Sequence, residues 1–275
     1  MKILIAIATS YHLEAITYFA ARLMPATPKT VTLMRVIRRE SQRPAAANLL
    51  ASAAAHLTQA GLHVTPLLRL GTAAKSIVDE ASAGSYDLVI IGHGDSGLHK
   101  PLSLAGPVAR QVVAHAPCPI LVVGRQNNVD MDHILLCDAG VEAPSFIERL
   151  AAQLPGLLDN TKTVTVLHVM SQISAAPGIP GKQLRADADE LIQEHAPEGR
   201  LLERDAALLQ RFQVRVQPKV RHGQVVQEIL TEANSGNYGL VVIGAHAGTG
   251  WQRFLLDDLA QKILTNLDRA VLVIH

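Results

Sequence analysis

The chain repeats itself, and that repetition limits its fold more than any other feature. KILIAIATS opens the sequence and HILLCDAGVEAP answers it from residue 133. VTLMRVI is followed in the second half by VTVLHVM. HVTPLLRLG is matched by VRVQPKVRHG, each with a Pro inside and a Gly closing it. YDLVIIGHG pairs with YGLVVIGAH, and CPILVVG with RAVLVIH. Runs of this length, rich in Ile, Leu and Val, read as buried strands. Between them lie helical stretches, such as those carrying Ile16, Phe19, Ala20 and Leu23, or Phe146, Leu150 and Leu154. Strands alternating with helices imply right-handed crossovers and a parallel sheet covered on both faces. Each half is therefore predicted to be a five-stranded, doubly wound α/β domain, with its ligand site beyond the carboxyl ends of the strands. The polar segment RQNNVDMD, residues 125–132, is the linker, which gives domains at 1–126 and 131–275.

Composition narrows the function classes. Hydrophobic residues make up 48% and charged residues 18%, enough apolar content for a large core and too little charge for disorder. A net charge of +1 argues against binding driven by nucleic-acid phosphates, and 3% aromatics cannot build a base-stacking platform. No apolar run approaches the roughly 20 residues of a membrane span, and the N-terminus lacks the pattern of a signal peptide. Two cysteines, Cys118 and Cys137, are too few for a disulfide framework. The expectation is a soluble, cytoplasmic protein with no nucleic-acid partner. The halves differ between their second and third strands. The first has an Arg-rich loop (Arg35, Arg38, Arg39, Arg43) and one Ala-rich helix near residues 45–60. The second inserts SAAPGIPG and two helical stretches, about residues 171–205, expected to be a surface insertion or a lid.

The most specific pattern lies in the fourth strand, the loop after it, the last helix and the last strand. The first half reads DLVIIGHGDSGLHKPLSLAGPVARQVVAHAPCPILVV and the second GLVVIGAHAGTGWQRFLLDDLAQKILTNLDRAVLVIH. With the opening segments KILIAIATS and HILLCDAGVEA, the sequence resembles two tandem copies of the universal stress protein family. In that family a G-x-x-G-x9-G-[S/T] loop holds phosphate. The resemblance implies two adenine-nucleotide alpha hydrolase-like domains. It also implies that ILVVG and VLVIH pair as the last strands of an intramolecular pseudo-dimer, which removes an aggregation-prone edge.

Glycines let a backbone approach phosphate, and the following helix offers N–H groups and its positive dipole end. The resemblance makes Gly92, Gly94, Ser96, Gly97 and Gly106 the candidate binding residues of the first half. Asp138, Gly244, His246, Gly248 and Thr249 are those of the second. Both loops depart from the family's pattern. In the second, Ala247 stands at the second glycine, and Asp257 and Asp258 fall at the third glycine and the hydroxyl residue. Two carboxylates there cap the helix but repel phosphate. One like-charge contact at about 4 Å and an effective dielectric near 20 costs on the order of 4 kcal/mol. In the first, the glycine spacing is one residue longer, Asp95 lies inside the loop, and Pro107 removes a hydroxyl and an N–H. Its first strand offers Ala8 and Thr9 where the family has Asp and Gly.

Other groupings carry less. His12, His93 and His99 could meet at one loop, but no zinc-ligand spacing is present, so no metal is expected. His168 reads as a strand histidine, and the cysteines as small buried hydrophobes. The Arg cluster reads as a solvated loop. Trp251 and Phe254 line either core or an apolar pocket. No nucleophile elbow, Walker lysine or paired acid and base appears, so no enzyme is expected. Three readings remain. The first is a non-catalytic stress-response protein that binds a small ligand or a protein partner through degenerate loops and needs no cofactor. The second is an ATP/AMP sensor using only the first half. The third is a carrier of apolar, lipid-like ligands through the second half. Further pairing of the pseudo-dimer into a homodimer is compatible with all three.

Overall fold

Strands made of Ile, Leu and Val without polar alternation must bury both faces, and the inner strands of this chain do. The computed structural model describes residues 1–23, 28–92, 106–124, 131–137, 145–170, 186–244 and 251–274, with backbone alone for 251–258. The first half runs β1 (Lys2–Ala6), α1 (Leu13–Arg22), β2 (Thr30–Ile37), α2 (Arg43–Gln59), β3 (His63–Leu70), α3 (Ala73–Gly84), β4 (Leu88–Gly92), α4 (Pro107–His115) and β5 (Ile120–Val123). The second runs β6 (His133–Cys137), α5 (Phe146–Gln153), β7 (Thr163–Met170), α6 (Ala188–Gln193), α7 (Pro197–Gln210), β8 (Arg215–His222), α8 (Val225–Ser235), β9 (Leu240–Gly244), α9 (Trp251–Asn266) and β10 (Ala270–Ile274). Along β1, Ile3 and Ile5 join the core under α1 and α2, whereas Leu4 joins the core under α3 and α4. The period of two along a strand thus feeds two cores at once.

All ten strands form one sheet in the order β3-β2-β1-β4-β5-β10-β9-β6-β7-β8. Each half is parallel and doubly wound. The halves meet where β5 and β10 pair antiparallel, with Leu121 opposite Leu272, as the family resemblance implied. Ile120 to Val123 and Val271 to Ile274 are buried, so the seam is core and both hydrophobic clusters continue across it. The sheet's outer edges are β3 and β8, and each carries its Pro (Pro66, Pro218) mid-strand, where a missing N–H discourages further pairing.

The Arg-rich stretch is not a loop throughout. Arg35 lies within β2, opposite Leu68 of β3, and Arg43 is the first residue of α2, paired with Glu40. A parallel strand tolerates a long polar side chain near its carboxyl end, where the sheet opens to a crevice, and β2 extends past that point.

A second repeated feature ties each outer helix to the sheet. In the first half Arg69 of β3 and the Tyr86 hydroxyl both donate to the carboxylate of Glu80 in α3. In the second, Arg221 of β8 and Tyr238 donate to Glu232 of α8, joined there by Lys219. Gly84 and Gly236 lie so close to these tyrosine rings that a Cβ on either would clash with the ring edge. The inserted segment packs at the other end of its strands. Ala186, Leu191 and Ala196 cluster with Met170 at the carboxyl end of β7, and His222 bonds the Ala186 carbonyl at 2.8 Å. The described part of the insertion therefore covers the carboxyl ends of β7 and β8.

Candidate functional site

In the first half the strand order reverses between β1 and β4, the place where doubly wound sheets open a crevice. A cleft of about 130 Å³ lies there. Ala6 to Thr9 follow β1 into it, Met34, Arg35 and Val36 come from β2, and Ile91 and Gly92 end β4. His12 and Ile16 border it from α1, Ala73 and Ile77 from α3, and Val108 and Ala109 from α4. The lining is mostly apolar. Among the described residues its polar members are Thr9, His12 and Arg35, and none is a carboxylate.

His12 precedes the first turn of α1 and is buried, its ring edge-on to the exposed Tyr11 at 4.8 Å. Gly92 makes that possible. A Cβ there would come within 2.6 Å of the imidazole, so the glycine clears space for a ring. Gly244 does the same for Phe146 in the second half, where a Cβ would meet the phenyl ring at 3.1 Å. Gly106 caps α4 through its backbone, with Pro107 in the first helical position. The other candidates, Gly94, Ser96, Gly97, Asp138, His246, Gly248 and Thr249, lie outside the described residues. So do His93, His99 and Asp95, as well as the side chains of Trp251, Phe254, Asp257 and Asp258.

Arg35 is the residue that sequence reasoning misplaced. Its Nη1 donates to the Ile7 carbonyl at 3.3 Å, and its buried Nε has no acceptor among the described residues. Burial lowers its pKa, because a guanidinium loses hydration there without a counter-charge in return. The signal was present as a single cation inside the apolar run VTLMRVI. Ladder register equates Arg35, opposite Leu68, with His168, opposite Val220. It also equates Ala6 with Cys137, since Ile3 faces Leu88 as Ile134 faces Leu240. The residue after Cys137, Asp138, is thus matched in the first half by the buried Ile7, not by Ala8. The cysteines play no part in this cleft. Cys118 is buried, and desolvation pushes its thiol up to about 11.

The described part of this cleft is a small recess. It is below the roughly 300–1,000 Å³ typical of sites for drug-sized ligands. It also presents Ile7 where the second half carries Asp138. Among the described residues no group of three or more His, Cys, Asp or Glu side chains is arranged to hold a metal ion, and no helix is long and apolar enough to cross a membrane.

Two doubly wound parallel α/β units joined through their last strands define a tandem α/β fold. The sequence profile of the universal stress protein family matches residues 1–124 and again 131–275, and the chain belongs to that family. Among solved structures it resembles a functionally unknown protein from Pseudomonas aeruginosa PAO1, at 19% identity and a TM-score of 0.65, over 99% of this chain and 92% of that one. It also resembles a universal stress protein from Archaeoglobus fulgidus DSM 4304, at 12% identity and a TM-score of 0.68, over 99% and 95% of the two chains. The cytoplasmic domain of a prokaryotic cation chloride cotransporter shares the fold at 12% identity and a TM-score of 0.53, over 99% and 94%. These likenesses concern fold. No curated protein matches the chain.

Proposed function

We propose that this chain is a non-catalytic stress-response protein that holds one small organic ligand, and no nucleotide, in the first-half cleft. The second half acts as its fixed structural partner. The observation that carries this reading is the cleft itself, an apolar recess at the topological switch point with a few polar groups at its rim. The described part of the insertion, over β7 and β8, supports a division of labour between the halves.

The test is a fragment screen by ligand-observed NMR on the full chain, with Ala109→Leu as a variant that fills the cleft from α4. Fragments that bind the wild type and lose at least tenfold in affinity in the variant support the reading. A screen in which every hit binds both proteins equally overturns it. Micromolar ATP binding with hydrolysis above background would replace it with the nucleotide-sensor reading.

A further inference from the structure

Resting on that reading of the cleft, we propose that its ligand is a small organic monocarboxylate with an apolar body, the carboxylate being held by Arg35.

Four observations converge on this chemistry. First, Arg35 is a fixed cation in an apolar recess whose described lining has no carboxylate, and its one hydrogen bond among the described residues, to the Ile7 carbonyl, is long at 3.3 Å. A guanidinium taken out of water without an anion is costly, and an incoming anion recovers that cost. Second, among the described residues the cleft offers one such cation. A single guanidinium matches a singly charged planar carboxylate through parallel N–H donors. The buried Nε leaves the Nη end of the fork as the recognition edge. Third, the described start of α4 is short of the donors that phosphate ordinarily recruits. The helix that opens at the cleft begins with Gly106 and Pro107, so its first position has no N–H and its cap has no side-chain hydroxyl. Fourth, about 130 Å³ is close to the roughly 150 Å³ cavity that accepts a benzene ring. Ile7, Ile16, Met34, Ile77 and Val108 give that space apolar walls. The ligand body is therefore one ring or a short branched chain. The feature belongs to the first half, because the same register position in the second holds His168.

The experiment titrates benzoate, benzamide and phenyl phosphate into the full chain at pH 8 and reads affinity by calorimetry or ligand-observed NMR. Benzoate is expected to bind at least tenfold more tightly than its neutral isostere benzamide. Arg35→Met should bring that ratio close to one while leaving benzamide unchanged. Arg35→His installs the residue that the other half carries at this position and is neutral at pH 8, so it gives the same readout if the Met variant folds poorly. Equal binding of benzoate and benzamide to the wild type, with loss of both in Ala109→Leu, overturns the carboxylate assignment and leaves the ligand-binding cleft standing. Tighter, Arg35-dependent binding of phenyl phosphate overturns it in favour of a phosphomonoester. Failure of all three probes to bind, together with a fragment screen blind to Ala109→Leu, overturns both readings.

Discussion

Removing the carboxylate of Glu232 should cost far more than removing that of Glu80, although the two occupy the same place in the repeat. Glu232 accepts from Lys219 Nζ at 2.8 Å and Tyr238 Oη at 2.6 Å through Oε1, and from Arg221 Nη1 at 3.0 Å through Oε2. Its side chain is 2% exposed. In Glu232→Ala the Tyr238 hydroxyl loses a charged acceptor in a buried site, worth roughly 1–3 kcal/mol. The void adds to that. The cations limit the damage, because Lys219 is 46% exposed and Arg221 keeps Glu228 at 2.6 Å. The total expected is about 3 kcal/mol, at the low end for breaking a buried pair. Glu80 has two partners, Arg69 and Tyr86, and Arg69 is 52% exposed, so an ion pair there is worth under about 1 kcal/mol. Glu80→Ala should cost about 1–1.5 kcal/mol, mostly through Tyr86.

Urea unfolding followed by circular dichroism measures both, and the difference should be at least about 1.5 kcal/mol. Equal losses would refute the claim that burial and partner number set the energy of this contact. Burial alone would raise the pKa of Glu232, but hydrogen bonds from Lys219 and Tyr238, with the Lys219 charge, outweigh it and lower the value. A depressed folded-state pKa means that this contribution is present above the ordinary glutamate range and disappears as pH falls through the folded value. The gap between the two variants should therefore close in acid. Tyr238 titrates the other way. Burial first, then its bond to Glu232, raises the phenol to about 12, so its contribution is complete below pH 10 and lost as pH climbs from 10 towards 12.

Three further outcomes follow from the packing. Leu121→Ala opens a cavity at the seam opposite Leu272 and should lower stability by about 2–5 kcal/mol, with both halves melting at a lower temperature in calorimetry. Loss from one half alone would show that the seam does not couple them. Gly92→Ala forces a methyl to within 2.6 Å of His12 and should cost about 1–3 kcal/mol, whereas Gly244→Ala meets Phe146 at 3.1 Å and should cost less, measured by the same urea titrations. Cys118 should resist a thiol-reactive disulfide reagent at pH 8 until the chain unfolds, since its thiol is buried and its pKa stands at about 11.

The fold was legible because a strand buried on both faces must be apolar throughout, and such runs, with two half-exposed edge strands, in a repeated order admit few topologies. Pairing of β5 with β10 was legible only through the family resemblance, since an apolar terminal strand states its need for a partner and not the partner's identity. The Arg–Glu–Tyr contact was present in the sequence as a spacing. Arg69, Glu80 and Tyr86 are separated as Arg221, Glu232 and Tyr238 are, with a Gly two positions before each Tyr. It escaped notice because the residues lie on a strand, a helix and a turn, where no local periodicity links them. Arg35 was misread for the opposite reason. Charge density along 35–43 suggested a solvated loop, and only ladder register separates the residue inside the strand from those beyond it.

The shared and the divergent parts of the two halves are physically connected. Beneath α3 and α8 the repeat keeps the same three side chains in the same contact, so what fastens each outer helix to the sheet is common to both halves. At the carboxyl ends the matching positions diverge in chemistry: Arg35 against His168, Ile7 against Asp138, and a cleft bordered by His12 against strands capped by the insertion. Divergence confined to the crevice end is what a scaffold permits when the groups that hold it together lie elsewhere. Changes at Arg35 should therefore alter ligand recognition with little effect on unfolding, and changes at Glu232 should do the reverse. A substitution at Arg35 that lowered stability as much as Glu232→Ala would mean that the cleft is part of the core.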